Sequence, residues 1–258
     1  MHLSFIFHLC SDIMQRVRFN IGGATMFQWP CSGPISIICG HYGTGKTNIA
    51  VNLALSLKKT LLDAEITIAD LDIVNPYFRA ADNRILLESR GIKAAIPEFA
   101  NSNVDIPVIP PHMPYIMDAG PGKRAILDVG GDDGAVVLGM YSGMISSAGY
   151  EMLYVVNMYR PLISDPRDAR ECMLQIEEAS RLKCTGIINN SSLGAETESS
   201  TVIESIGYAK KCADACGIPL IAHTYCPRYT GDLENTVRGT GYGSEPFAAI
   251  DDITKKLF

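Results

Sequence analysis

The sequence predicts an α/β fold: a doubly wound, mostly parallel sheet flanked by helices. Three observations predict it. The strand candidates are continuous apolar runs without polar alternation, as expected when both faces of a sheet are covered. Each run is followed by a stretch with helical spacing, the rhythm of repeated βα units. A glycine-rich turn joins the first clear strand to the first helix, where open parallel sheets present their ligand-facing edge. The composition agrees. Of 258 residues, 47% are hydrophobic and 19% charged, which excludes a disordered or fibrous chain. The net charge of −6 argues against a protein whose main task is to hold nucleic acid.

The elements follow in order. Residues 1–25 lack clear periodicity and read as an N-terminal extension or a mis-assigned start, with Met26 as the natural one and 26–258 as a single domain. Ile35–Cys39 is a buried-strand candidate, and a helix is expected from Lys46 to Lys59. Ile66–Asp70 is the next strand. Asn83–Arg90 reads as a helix stopped by Gly91, followed by a short strand over Ile92–Ile96. Pro97–Gly122 carries six prolines and reads as loop, with a short helix near His112–Asp118. Ala125–Val129 is a strand, Gly134–Ser147 a helix, and Met152–Asn157 a strand. Asp165–Lys183 has apolar residues at helical spacing, and Thr185–Asn189 is a strand. Glu198–Cys216 is a helix ended by Gly217, and Pro219–Tyr225 is expected to be the last strand. A final helix is expected over Pro246–Leu257, capped by Ser244, with Phe247, Ile250, Ile253 and Leu257 near one face. Asp251 and Asp252 beside that face favour packing on the domain over membrane binding, and no run is long enough to span a bilayer.

The strongest chemical signal is Gly40-His41-Tyr42-Gly43-Thr44-Gly45-Lys46-Thr47, which fits G-x-x-x-x-G-K-[ST] between a strand and a helix. Glycines let backbone N–H groups turn inward around phosphate oxygens, and the helix N-terminus adds partial positive charge. Lys46 would reach the outer phosphates, and the Thr47 hydroxyl would ligate Mg²⁺. Two further strands end in acids. Asp128 is followed by Val129-Gly130-Gly131, and Asp70-Leu71-Asp72 follows the second strand. Two carboxylates so close repel unless a metal or water network separates them. One of Asp70 and Asp72 near Mg²⁺ and the other orienting an attacking water would suit that chemistry, with Asp128 holding Mg²⁺ through water; the alternative for Asp70 and Asp72 is a helix cap and a surface acid.

These motifs, in this order over residues 33–230, resemble the MinD/ParA/CobQ/CobB nucleotide-binding superfamily of the SIMIBI class. The resemblance implies an ATPase with Mg²⁺ and a nucleotide-dependent homodimer. It places Asp72 as the water-orienting residue, Asp128 at the Walker B position and Asn189 as the adenine contact, with the loop near Pro227 and Arg228 flanking the base. Relatives that use GTP carry N-K-x-D, which Asn189-Asn190-Ser191-Ser192 does not match, so ATP is favoured. One departure stands out. ParA and MinD loops carry a second, early lysine, and His41 and Tyr42 stand there instead. Arg79 or Arg160 could supply that cation as an arginine finger, or both could be ordinary surface arginines.

Weaker candidates remain. Asn157 could bind phosphate or a partner, or simply shape a strand-end loop; His112 and His223 read as isolated structural histidines. The eight scattered cysteines read as reduced thiols of a cytoplasmic protein, with Cys212 and Cys216 on one helical face but no further metal ligands nearby. The expectation is a slow, Mg²⁺-dependent ATPase that acts as a switch for a protein partner. The alternative is an ATP-dependent synthetase of the CobB/dethiobiotin-synthetase type, which also lacks the early lysine and could shape a substrate pocket from Pro97–Gly122.

Overall fold

The computed structural model describes residues 18–21, 24–27, 29, 31, 33–71, 80–95 and 120–253. The short helix expected near residues 112–118 lies outside them, as do Asp72, Arg79 and His112. The first strands, β1 (Arg18–Ile21) and β2 (Ala24–Phe27), pair antiparallel, and Met26 lies within the second. Sequence periodicity did not reveal this pair.

The remaining strands form one parallel sheet. They are β3 (Ile35–Cys39), β4 (Glu65–Asp70), β5 (Ile92–Ala95), β6 (Lys123–Asp128), β7 (Tyr150–Val156), β8 (Gly186–Asn189), β9 (Leu220–Tyr225) and β10 (Phe247–Ala249). Their spatial order is β10-β9-β8-β7-β3-β6-β4-β5. The helices are α1 (Lys46–Thr60), α2 (Ala80–Ser89), α3 (Gly131–Ala148), α4 (Pro166–Ser180), α5 (Ser199–Cys216), α6 (Pro227–Thr230) and α7 (Leu233–Val237). The predicted doubly wound α/β architecture is therefore observed; outside the C-terminal segment, strand and helix ends match or differ by up to three residues.

Alternate residues of the central strands feed two cores, one on each face, which is why these strands read as unbroken apolar runs. On one face Ile35, Ile37, Leu127, Met152, Tyr154 and Val156 pack with Leu138 and Ile145 of α3, Met173 and Ile176 of α4 and Cys212 of α5. On the other, Ile38, Ile126, Leu153 and Val155 pack with Ile49, Leu53 and Leu57 of α1 and Leu87 of α2. Each fully buried Leu or Ile contributes about 2–3 kcal/mol of apolar transfer. Among the described residues no helix is long and apolar enough to cross a membrane.

The C-terminal expectation needs correction. Phe247–Ala249 is a strand parallel to β9, with Phe247 opposite His223 and Ala249 opposite Tyr225. Pro219–Tyr225 is thus not the last strand, and residues 250–253 are not helical. Their backbone is held by two asparagines of α1. Asn52 pairs with both the N–H and the carbonyl of Asp251, at 2.9 Å each, and Asn48 accepts from the Ile253 N–H at 3.0 Å. Phe247 and Ile250 are buried by sheet pairing, so their three-residue spacing mimics a helical face without being one.

Strand order fixes where a ligand can sit. β3 lies between β6 and β7, and the chain leaves it toward β4 before returning to fill both neighbouring places. That is a topological switch point, where connections diverge and open a crevice at the carboxyl ends of the strands. The loop after β3, the acids at the ends of β4 and β6, and the loops after β7 and β8 all share this edge.

Candidate functional site

The glycine-rich loop turns through three left-handed or otherwise L-unfavourable glycines: Gly40 (φ +144°), Gly43 (φ +76°) and Gly45 (φ +87°). A Cβ on Gly40 would lie 2.5 Å from the Val155 carbonyl oxygen, and one on Gly45 would collide with the Asn190 amide. Only glycine fits at these points.

Three carbonyls of the loop are held by protein groups. The His41 carbonyl accepts from the Thr44 N–H (3.3 Å), the Thr44 hydroxyl (2.9 Å) and Lys46 Nζ (3.1 Å). The Gly43 carbonyl accepts from Arg160 Nε at 2.7 Å. The Thr44 carbonyl accepts from Asn190 Nδ2 at 2.7 Å, and Asn190 is itself fixed by a 2.6 Å bond from the Thr224 hydroxyl. Pinning the carbonyls sets the peptide orientations and leaves N–H groups for a ligand. Helix α1 begins directly after this loop. Its N-cap is Gly45, no side chain caps it, and no acid occupies its first turn. Its first N–H groups and the positive end of its dipole are therefore directed to the loop.

Lys46 and Thr47 are both buried at the start of α1. The Thr47 hydroxyl has no hydrogen-bond partner among the described residues. A buried hydroxyl left unpaired costs about 1–3 kcal/mol, which a ligand or ion can offset. Asp70 and Asp128 sit directly opposite each other at the ends of β4 and β6, and Asp128 is also in register with Ile38 just before the loop. Both carboxylates are buried. A hydroxyl oxygen and carboxylate oxygens at the rim of an anion cradle are hard donors of the kind Mg²⁺ takes together with phosphate. Among the described residues no three His, Cys, Asp or Glu side chains form a metal cluster of their own.

The other sequence candidates fall as follows. His41 is partly buried and Tyr42, at 63% exposure, projects from the loop. Asn189, only 1% exposed, has its amide committed inside the fold. Its Nδ2 donates to Ser205 Oγ and His223 Nδ1, both at 2.8 Å, and its Oδ1 accepts from the Ser191 N–H and hydroxyl. Pro227 and Arg228 form the first turn of α6, where the Arg228 guanidinium lies 5.8 Å from the Tyr229 ring centre. Asn157 is buried and staples two loops: its Oδ1 accepts from Tyr159 N–H (3.0 Å) and Ser192 N–H (3.4 Å). His223 is fully buried, and burial pushes its pKa down to about 4 despite Glu245 Oε2 at 3.5 Å. Asn190 was not foreseen as a loop residue. The only hint in the sequence was a second asparagine immediately beyond a strand end.

No family model matches the chain, and no curated protein matches it in sequence. Among solved structures it is similar to cell division protein FtsY from Thermotoga maritima, at 18% identity over 83% of this chain and 68% of that one, TM-score 0.42. It is also similar to signal recognition particle receptor FtsY from Elizabethkingia anophelis, at 14% identity over 99% and 69%, TM-score 0.40. A third is a nucleotide-binding protein from Archaeoglobus fulgidus in complex with ADP, at 13% identity over 85% and 82%, TM-score 0.37. Likenesses this distant transfer no role, and the functional reading rests on the geometry of the site itself.

Proposed function

We propose that this protein binds Mg-ATP in the loop between β3 and α1 and hydrolyses it slowly, as a cytoplasmic switch of MinD/ParA type. One observation carries the reading: a glycine-rich loop whose His41, Gly43 and Thr44 carbonyls are each held by a protein donor opens onto a helix start with no side-chain cap. Such a device has one efficient use, the binding of a multiply charged anion such as a polyphosphate.

The chain's residues then divide the work. The Lys46 ammonium, resting on the His41 carbonyl, moves onto the outer phosphates and offsets charge developing there. Thr47, Asp128 and Asp70 fit Mg²⁺, which when bound would neutralise phosphate oxygens. Asp72, two residues beyond Asp70, orients the attacking water. The base preference for ATP rests on the lack of N-K-x-D after β8. With its amide already committed, Asn189 supports that preference only if a base displaces one of its internal partners.

The test is nucleotide binding and single-turnover hydrolysis with Mg-ATP and Mg-GTP. Lys46→Ala is expected to lower turnover by about 10²-fold or more, and Asp72→Ala to bind without hydrolysing. A Lys46→Ala protein that turns over ATP at the parent rate overturns the proposal. Solution mass with Mg-ADP and with a non-hydrolysable Mg-ATP analogue tests the switch, which requires a dimer only with the analogue. A mass indifferent to nucleotide favours the second reading, an ATP-dependent synthetase. That reading draws its support from His41 and Tyr42 standing where switch-type loops carry a lysine.

A further inference from the structure

Arg160 reaches the loop from the segment after β7, 117 residues beyond Gly43. Its backbone is held rigidly. It precedes Pro161, which favours the extended conformation it adopts (φ −102°, ψ 116°). Its N–H donates to the Asn157 carbonyl and its carbonyl accepts from the Ile163 N–H, both at 3.1 Å. Asn157 is anchored to Ser192, and Ile163 is fully buried with its carbonyl accepting from the Tyr208 hydroxyl. The side chain, by contrast, is exposed.

The guanidinium rests against the apex of the loop. A Cβ on Gly43 would lie 3.1 Å from its central carbon, a contact tighter than ordinary packing, so glycine lets the guanidinium lie close. Only Nε is used, on the Gly43 carbonyl. The two terminal nitrogens, with four N–H donors between them, make no hydrogen bond among the described residues. Tethering a loop needs one donor, and the other four remain beside Gly43 at the apex of the glycine-rich loop.

We infer that Arg160 is a phosphate-binding residue supplied in cis: its terminal nitrogens bind the terminal phosphate of a nucleoside triphosphate and so distinguish triphosphate from diphosphate. The inference rests on the proposed nucleotide site. A guanidinium fork suits this role because its planar donors can hold two phosphate oxygens at once. Linking the Gly43 carbonyl to the terminal phosphate also couples the loop after β7 to the state of the nucleotide.

The test is calorimetric titration of the full chain with Mg-ADP and with a non-hydrolysable Mg-ATP analogue, comparing the parent with Arg160→Gln, Arg160→Lys and Lys46→Ala. Arg160→Gln is expected to weaken the triphosphate analogue about tenfold and ADP far less, with the melting temperature of the nucleotide-free protein unchanged. Arg160→Lys should recover part of the lost preference. Equal loss for both nucleotides would mean that Arg160 only props the loop, and no loss would mean that it does neither; each overturns the inference. If the parent binds both nucleotides and Lys46→Ala does not, those outcomes leave the nucleotide site standing. If the parent binds neither, the nucleotide site falls and the role of Arg160 falls with it.

Discussion

Helices α1 and α4 are the same length, 15 residues each, yet they begin in opposite ways. Helix α4 starts as a stable surface helix should. Asp165 caps it, accepting from the Arg167 N–H at 2.8 Å; Pro166 takes the first position and Asp168 lies in the first turn. These choices satisfy free N–H groups and oppose the helix dipole. Helix α1 declines all of them. It starts from a left-handed glycine without a side-chain cap or a first-turn acid, and it buries a lysine and an unpaired threonine hydroxyl. A helix designed only for stability would carry the ends of α4. That contrast is the physical ground for the ligand site proposed at the start of α1.

Substitutions can break or sharpen that contrast. The largest effect is expected from Gly45→Ala. Its Cβ meets the Asn190 amide in a backbone region that costs L-residues about 1–3 kcal/mol. Denaturation should show that loss, and affinity for triphosphate should fall about 100-fold as the cradle distorts. The next effect is a pH dependence away from both helix starts. Folded His223 stays neutral to about pH 4, whereas the unfolded side chain takes up a proton below about 6.5. The unfolded state therefore binds more protons in that window. Stability is complete above about pH 6.5 and falls toward pH 4, by at most about 3 kcal/mol. Denaturation of the parent and of His223→Gln across this range should show a flatter profile for the variant.

Thr47→Val should separate stability from binding. Removing an unpaired hydroxyl leaves the nucleotide-free protein as stable or slightly more so, by up to ~1 kcal/mol. The Mg²⁺-dependent gain in nucleotide affinity should shrink about tenfold, as measured by titration with and without the ion. The smallest effect belongs to Asp165→Ala, a slight drop in melting temperature with unchanged nucleotide affinity. The Asp165 carboxyl is held below its usual pKa by the hydrogen bond from Arg167. Its contribution is therefore present above the ordinary aspartate pKa and disappears as pH falls through the lowered one.

The same contrast explains what was legible in the sequence. Loop glycines, Lys46 and Thr47 declare themselves because their requirements are local: a fixed spacing between one strand and one helix. The central strands were legible because both their faces are buried. The groups that hold the loop were harder to read. Asn190 and Arg160 reach Thr44 and Gly43 across 146 and 117 residues, and no local pattern announces such a bond. β10 failed for a related reason. Three residues become a strand by lying beside β9, and the following backbone is held by Asn48 and Asn52, about 200 residues earlier. The spacing of Phe247, Ile250 and Ile253 alone suggested a helix.

The place of β3 in the sheet also sets a timetable for synthesis. Its two neighbours are made later: β6 ends at residue 128 and β7 at residue 156. Arg160 and Asn190 emerge later still. At roughly 5–20 residues per second, the phosphate loop leaves the ribosome many seconds before the groups that shape it. A nascent chain stopped before residue 120 would contain the whole glycine-rich motif and yet lack both strands that flank it. A nucleotide bound as proposed would then be no early template for folding, and any stabilisation it brings would arrive only once most of the sheet is built.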